Sequence, residues 1–184
     1  EDVRNVIIED DILVIGDYAF NYFTYLTGLE IGNGVTSIGE SAFESCSELT
    51  RVEIPDSVTS IGNSAFSCCS ELAEVKIGNC VKTIGEYAFW ACSDLTSIEI
   101  PDSVTRISEE AFAECNDLTD VKLGSGITFI EESAFIRCYN LTNIEIPDSV
   151  TYLGHNAFYG CESLTDIKIP GSIEVIEYAT FSYC

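Results

Sequence analysis

An α/β repeat solenoid of about eight coils, each with short β-strands and a helical or 3-10 turn, is the fold class this sequence predicts. Three observations predict it. Phe20, Phe43, Phe66, Phe89, Phe112, Phe135, Phe158 and Phe181 recur every 23 residues without a slip. Within each copy, aliphatic residues alternate with period two, as a strand requires. A conserved spacing of three then follows, as one face of a helical turn requires. A unit of 23 residues cannot bury Phe, Cys and several aliphatics alone. Stacked units share one continuous core and one parallel strand ladder, each touching mainly its neighbours.

The coil is read in order as follows. Register begins at once, since Val3, Val6, Ile8, Ile12 and Ile15 match Leu49, Val52, Ile54, Val58 and Ile61 two copies later. Leu49, Val52 and Ile54 read as the first short strand. Pro55, Pro101, Pro147 and Pro170 end it in some copies and Gly32, Gly78 and Gly124 in others. Proline cannot donate to a ladder, and glycine turns readily. Val58 and Ile61 point inward from a second extended piece, and Gly16, Gly39, Gly62, Gly85 and Gly154 turn the chain again. Phe66, Cys69 and Leu72, three apart, form the inner face of the helical or 3-10 turn. No linker interrupts the pattern, so residues 1–184 read as a single solenoid domain. The chain stops at Cys184, before the Leu due three residues later, and shows no capping sequence. It is therefore expected to be a fragment of a longer chain without its caps, or an array that associates end to end.

A formal net charge of −23, from 31 acidic and 8 basic residues, argues against binding nucleic acid or anionic lipid, because both need a basic footprint. Solubility, attraction of cations or a basic partner are the readings left. No run of about 18 apolar residues exists to insert into a membrane. The absence of Met and of a signal-like start suggests a processed or excised piece.

Nine cysteines suggest a disulfide framework until their positions are compared. Cys46, Cys69, Cys92, Cys115, Cys138, Cys161 and Cys184 share one repeat position, where Phe23 stands in the first copy. Exchange of Cys for Phe marks an apolar site, so a column of reduced, buried thiols is expected. Cys68 has no column and is the thiol expected to be exposed; Cys80 sits at an ordinary repeat position.

The segment from Leu49 to Ser57 is similar to the leucine-rich repeat core. The longer string carried by Ala88, Phe89, Cys92, Leu95, Thr96, Ile98, Ile100, Pro101, Ser103, Val104, Thr105 and Ile107 resembles the BspA-like leucine-rich repeats in particular. The match runs through essentially the whole chain. It departs where the general motif has Asn or Cys, since Ser57, Ser103, Ser149, Ser172, Gly34 and Gly126 stand there and only Cys80 keeps it. The resemblance implies a right-handed solenoid, secreted or attached to the surface of a host-associated microbe. It also implies adhesion or protein binding rather than chemistry.

Candidate site residues are those that differ from copy to copy on outward positions. One outward strand row holds Glu30, Glu53, Lys76, Glu99, Lys122, Glu145 and Lys168; beside it run Arg51, Glu74, Ser97, Asp120, Asn143 and Asp166. The first row alternates in sign after its first pair, which stabilises opposed neighbours. It also lines the face on which leucine-rich repeats commonly bind protein. The candidate partner-binding strand face is therefore Arg51, Glu53, Glu74, Lys76, Glu99, Asp120, Lys122, Asn143, Glu145, Asp166 and Lys168. A candidate apolar stripe, Phe129, Tyr152 and Val175, replaces Ser37, Ser60, Thr83 and Arg106 of earlier copies; Trp90, Ile136 and Tyr159 replace smaller or polar residues after the repeat Phe. These are interface material if exposed and extra core if not. Two acidic columns, Glu48, Glu71, Asp94, Asp117 and Glu40, Glu86, Glu109, Glu132, read as a solvated face with weak divalent cation binding as the alternative.

Catalysis finds no support in the pattern. His155 is the sole histidine, at a turn, and the Ser and Cys residues belong to the repeat. Neither a nucleophile with its base nor a metal-ligand cluster nor a phosphate loop is visible. No enzyme, cofactor or resident metal is expected. The expected function is a non-enzymatic protein-binding or adhesion module, secreted or on a microbial cell surface, with a host extracellular protein as the kind of partner. The alternatives are a structural spacer or stalk, or an intracellular interaction scaffold.

Overall fold

A computed structural model describes residues 2–184. The chain winds as a right-handed parallel β-solenoid. One column of strands comprises β1 (Asn5–Ile8), β3 (Gly28–Ile31), β5 (Arg51–Glu53), β7 (Glu74–Lys76), β9 (Ser97–Ile100), β11 (Asp120–Leu123) and β13 (Asn143–Ile144). The second comprises β2 (Val14–Ile15), β4 (Ser37–Ile38), β6 (Ser60–Ile61), β8 (Thr83–Ile84), β10 (Arg106–Ile107), β12 (Phe129–Ile130) and β14 (Tyr152–Leu153). Every pairing is parallel, and the register joins each residue to the one 23 later: Val6 to Leu29, Val52 to Val75, Val121 to Ile144, Ser37 to Ser60. Alternation puts Val52, Val75, Ile98 and Val121 inward and their neighbours outward.

The third side of the coil corrects the sequence reading: among the described residues no helix forms there. Alternate amides leave the coil instead. Ser41, Phe43 and Ser45 each donate N–H to the next coil, to the carbonyls of Asn63, Ala65 and Ser67, all at 2.8 Å. Glu44 and Cys46 donate backward within their own coil, to Ser41 and Phe43. A helix would use every amide internally. This segment surrenders half of them to its neighbour and becomes a third inter-coil ladder. The alternation requires two left-handed residues per coil, such as Ser64 and Cys68 at φ 53° and 58°. Fifteen of the sixteen such residues are not glycine. Each costs on the order of 1–2 kcal/mol, offset by the bonds it lets its neighbours make.

The core is one continuous strip. Stacked phenylalanine rings lie 5.2–5.6 Å apart from Phe20 to Phe181. Phe43, Phe66, Phe89, Phe112, Phe135 and Phe158 are wholly buried, whereas Phe20 and Phe181 are only partly so. The array thus amounts to about six complete coils and not the eight expected, because a coil is complete only when covered on both sides.

The glycines also act differently from their reading as turn formers. Of all 13, Gly160 alone has a positive φ. Gly78 and Gly124 instead lie against the preceding coil's turn: a Cβ there would sit 2.5 Å from the Pro55 oxygen and 2.6 Å from the Asp102 nitrogen, respectively.

Candidate partner-binding site

The outward strand positions meet as the period dictates. Pairing sets Arg51 beside Glu74 and Glu53 beside Lys76, then Ser97 beside Asp120 and Glu99 beside Lys122, and Asp120 beside Asn143. Lys76 Nζ lies 2.5 Å from Glu53 Oε1, and Lys122 Nζ 2.5 Å from Glu99 Oε1. In each pair the hydrogen bond to the carboxylate, then its charge, pushes the lysine above its ordinary range. Asn143 Nδ2 donates to Asp120 Oδ1 at 2.9 Å, and Thr119 Oγ1 to Asp120 Oδ2 at 3.0 Å. Opposed charges therefore neutralise one another in pairs of coils, each lysine reaching back to the coil before it.

Two shallow, open grooves lie on this face. One, of about 520 Å³, is lined by Arg51, Glu53, Glu74 and Lys76 with Leu29, Asp56 and Asn79. The other, of about 620 Å³, is lined by Asp120, Lys122, Asn143 and Glu145 with Ser125 and Pro147. Eight of the eleven candidate strand-face residues are brought together in these grooves. Glu99 lies between them, and Asp166 and Lys168 stand on the last coil, past the final paired strand β13. No ion pair joins Lys168 to Glu145 among the described residues.

The groove-lining residues Asp56, Asn79 and Ser125 were missed from sequence. Their signal was a column of short polar residues: Asp10, Asn33, Asp56, Asn79, Asp102, Ser125 and Asp148. The carboxylates of Asp10, Asp56 and Asp102 accept the backbone N–H of Asn33, Asn79 and Ser125 in the following coil at 2.6–2.7 Å. That bond, followed by the Ser125 hydroxyl, holds the Asp102 carboxyl below its usual range. It also fixes the groove wall.

The apolar stripe lies on the other strand column. Phe129 is 38% and Val175 60% exposed, with Tyr152 half-buried, so the stripe is surface and not extra core. The rings of Phe129 and Tyr152 stand 6.2 Å apart, and the Arg106 guanidinium covers Phe129 at 5.3 Å while pairing with Glu131 at 2.8 Å. Trp90, Ile136 and Tyr159 are half-buried on the turn side. The acidic columns are partly engaged: Glu40 accepts from Tyr18 Oη, Glu48 pairs with Arg4, and Asp117 accepts from Asn140. Among the described residues no group of three or more His, Cys, Asp or Glu could hold a metal ion. His155 Nε2 lies 3.9 Å from Glu177 Oε2 at a half-buried turn.

All nine cysteines are free. Burial drives the thiols of Cys92 and Cys138 well above their ordinary range and Cys115 up to about 12. The column has a polar task that apolar substitution did not disclose. Cys69 Sγ donates to Phe43 O at 3.2 Å, and the same bond recurs from Cys46 to Cys184. The exposed thiol away from the ends is Cys80; Cys68, the expected one, is half-buried beside Ser67.

A family model described as the BspA type leucine rich repeat region matches residues 2–116 and 82–184, with 6 copies. Among solved structures, the leucine rich repeat protein of T. pallidum is 29% identical, with 90% of this chain and 80% of that one aligned and a TM-score of 0.86. A leucine-rich repeat protein from Eubacterium ventriosum is also 29% identical, with 92% of this chain aligned and a TM-score of 0.82; the match spans 45% of that protein's chain. No curated protein matches this chain.

Proposed function

Because this chain belongs to the BspA-type leucine-rich repeat family, we propose that it is a non-enzymatic protein-binding module that presents its odd-numbered strands to a protein partner outside the cell. The carrying observation is the coincidence of both grooves with a face on which acids are matched by lysines of the following coil. Four of the eight basic residues stand there, Arg51, Lys76, Lys122 and Lys168, against seven of the 31 acids. The turn side, with Glu40, Glu86, Glu109 and Glu132 in one column, is strongly acidic and repels most protein surfaces. A partner approaches most readily where Glu53 and Glu99 are already matched by lysines. Unpaired groups such as Arg51 and Glu74 then supply direction and register rather than bulk attraction. Adhesion at a microbial surface, with a host extracellular protein as ligand, is the form of this reading that the family resemblance favours.

The test is surface plasmon resonance against a panel of purified extracellular matrix and serum proteins. The chain is compared with a Glu74→Lys, Asp120→Lys, Asp166→Lys variant and, separately, with a Phe129→Ser, Tyr152→Ser variant. Loss of at least about tenfold in affinity in the first alone is expected, as removal of grouped rim charges produces. Unchanged binding in the first with loss in the second moves the site to the apolar stripe.

A further inference from the structure

We infer that the face of the odd-numbered strands also binds a second copy of this chain, laid face to face with the order of coils reversed. The inference rests on reading this face as a protein-binding surface and names a further partner for it. From Glu53 onward the first outward row reads Glu53, Lys76, Glu99, Lys122, Glu145, Lys168, an alternation with a period of two coils. Half a turn about an axis along the strands, placed between the Glu99 and Lys122 coils, brings each row opposite itself in reversed order. Glu53 then meets Lys168 of the second copy, Lys76 meets Glu145, and Glu99 meets Lys122. Each contact occurs twice, as an isologous interface requires. The neighbouring row agrees with the match: Arg51 meets Asp166, Glu74 meets Asn143 and Ser97 meets Asp120, so no like charges are opposed. Moving the axis onto the Glu99 coil sets Glu53 against Glu145 and Lys76 against Lys122, and like charges directly opposite repel. Moving it to between the Lys76 and Glu99 coils sets Glu30 against Glu145.

The groups are free to make these contacts. The side chains of Glu53, Lys76, Glu99 and Lys122 are 68–75% exposed even though they pair within the chain. An ammonium has three donors and a carboxylate accepts at both oxygens. Lys122 can therefore hold its own Glu99 and that of the second copy at once, closing a ring of four alternating charges on the axis. The coil pitch is the same in both copies, about 4.8 Å, so successive contacts stay in step. The charge of −23 on each copy opposes approach. At 0.1 M salt the Debye length is about 10 Å, which screens the acids of the other sides and leaves charges in contact to act. The acidic column of Glu40, Glu86, Glu109 and Glu132 lies outside the contact. Complementarity of this kind sets register and excludes wrong partners more than it adds affinity. The dimer is thus weak and specific, and it competes with any other ligand of the face.

Sedimentation velocity over rising protein concentration tests this with the charge reversals Glu99→Lys and Lys122→Glu. The parent chain is expected to form a dimer and stop there, since a two-fold contact closes. Either variant alone opposes like charges at the axis and is expected to weaken the dimer about tenfold or more. An equimolar mixture sets the two lysines of one variant against the two glutamates of the other, and is expected to restore dimers of mixed composition. No effect confined within one chain produces that rescue. Circular dichroism checks that the variants fold. The double exchange, Glu99→Lys with Lys122→Glu, restores both the intrachain pair and the facing pair and is expected to dimerise like the parent. A parent that is monomeric up to about 1 mM, single variants that associate like the parent, or a mixture without rescue each overturns the inference. A monomeric parent that still captures an extracellular protein overturns this inference alone. A dimer that captures none supports it and overturns only the ligand proposed above.

Discussion

Cys115 shows how far a single side chain's role can be taken from its neighbours. Exchange of Cys for Phe23 along the column was enough to mark the position as apolar. What the exchange hid is the S–H donated to the phenylalanine carbonyl of the preceding coil, because Phe23 fills the same space without donating. With burial holding Cys115 and Cys161 up to about 12, hardly any thiolate forms there at pH 8, and the thiolate is the reactive species. A maleimide reagent at that pH is expected to label Cys80 first in the folded protein, with Cys184 and Cys68 slower and the buried column silent. Mass spectrometry counts the adducts, and denaturation should release all nine. The left-handed residues were invisible for a related reason. Glycine or asparagine normally advertises a positive φ, yet Tyr18, Cys68, Glu110 and Arg137 adopt it here. Their side chains, exposed at Tyr18 and Arg137 and half-buried at Cys68 and Glu110, reveal nothing of a backbone fixed by the coil above.

At the level of the element, the strands were legible because side-chain alternation survives in as few as three residues: Arg51 out, Val52 in, Glu53 out. The turn side was misread because Phe66, Cys69 and Leu72 are spaced alike in a helical turn and in a run of tight turns. Only the destination of alternate amides distinguishes the two, and side-chain spacing does not encode it. Glycine was misread in the same way, as freedom of φ rather than closeness of approach. The structure therefore predicts that Gly78→Ala destabilises by about 1–3 kcal/mol, the usual range for overpacking, since its Cβ meets the rigid Pro55 backbone and not a yielding side chain. Gly171→Ala, with nothing within 4 Å, should leave stability nearly unchanged. Urea denaturation of both variants measures the contrast. The groove wall at Asp56 and Asn79 follows the same pattern, because a bond between successive coils leaves no mark within one copy.

The whole molecule was the most legible level, since an unbroken period of 23 residues admits little but a stack. Its count was not, because completeness of a coil depends on being covered. The last coil illustrates this. Its bonds to the coil before it run mainly on the turn side, from Asn156, Phe158 and Gly160 to the carbonyls of Tyr178, Thr180 and Ser182; Ser172 Oγ adds one to Val150 O. Past β14 no further strand pairs among the described residues. Amides of residues 166–169 are accordingly expected to exchange with deuterium on the order of a hundredfold faster than those of β9 and β11, following the ordinary spread of local opening. Equal protection would mean that the last coil is held as firmly as those inside.

The three ladders all run lengthwise, which has a mechanical consequence. A solenoid pulled by its two ends carries the load through its coil interfaces one after another, not through many bonds sheared at once. It peels from an end, each coil surrendering on the order of 80 Å of chain from a slice only about 5 Å thick. A chain wound in this way is a spool: it lengthens greatly under steady tension while the turns still wound keep their shape and whatever they hold.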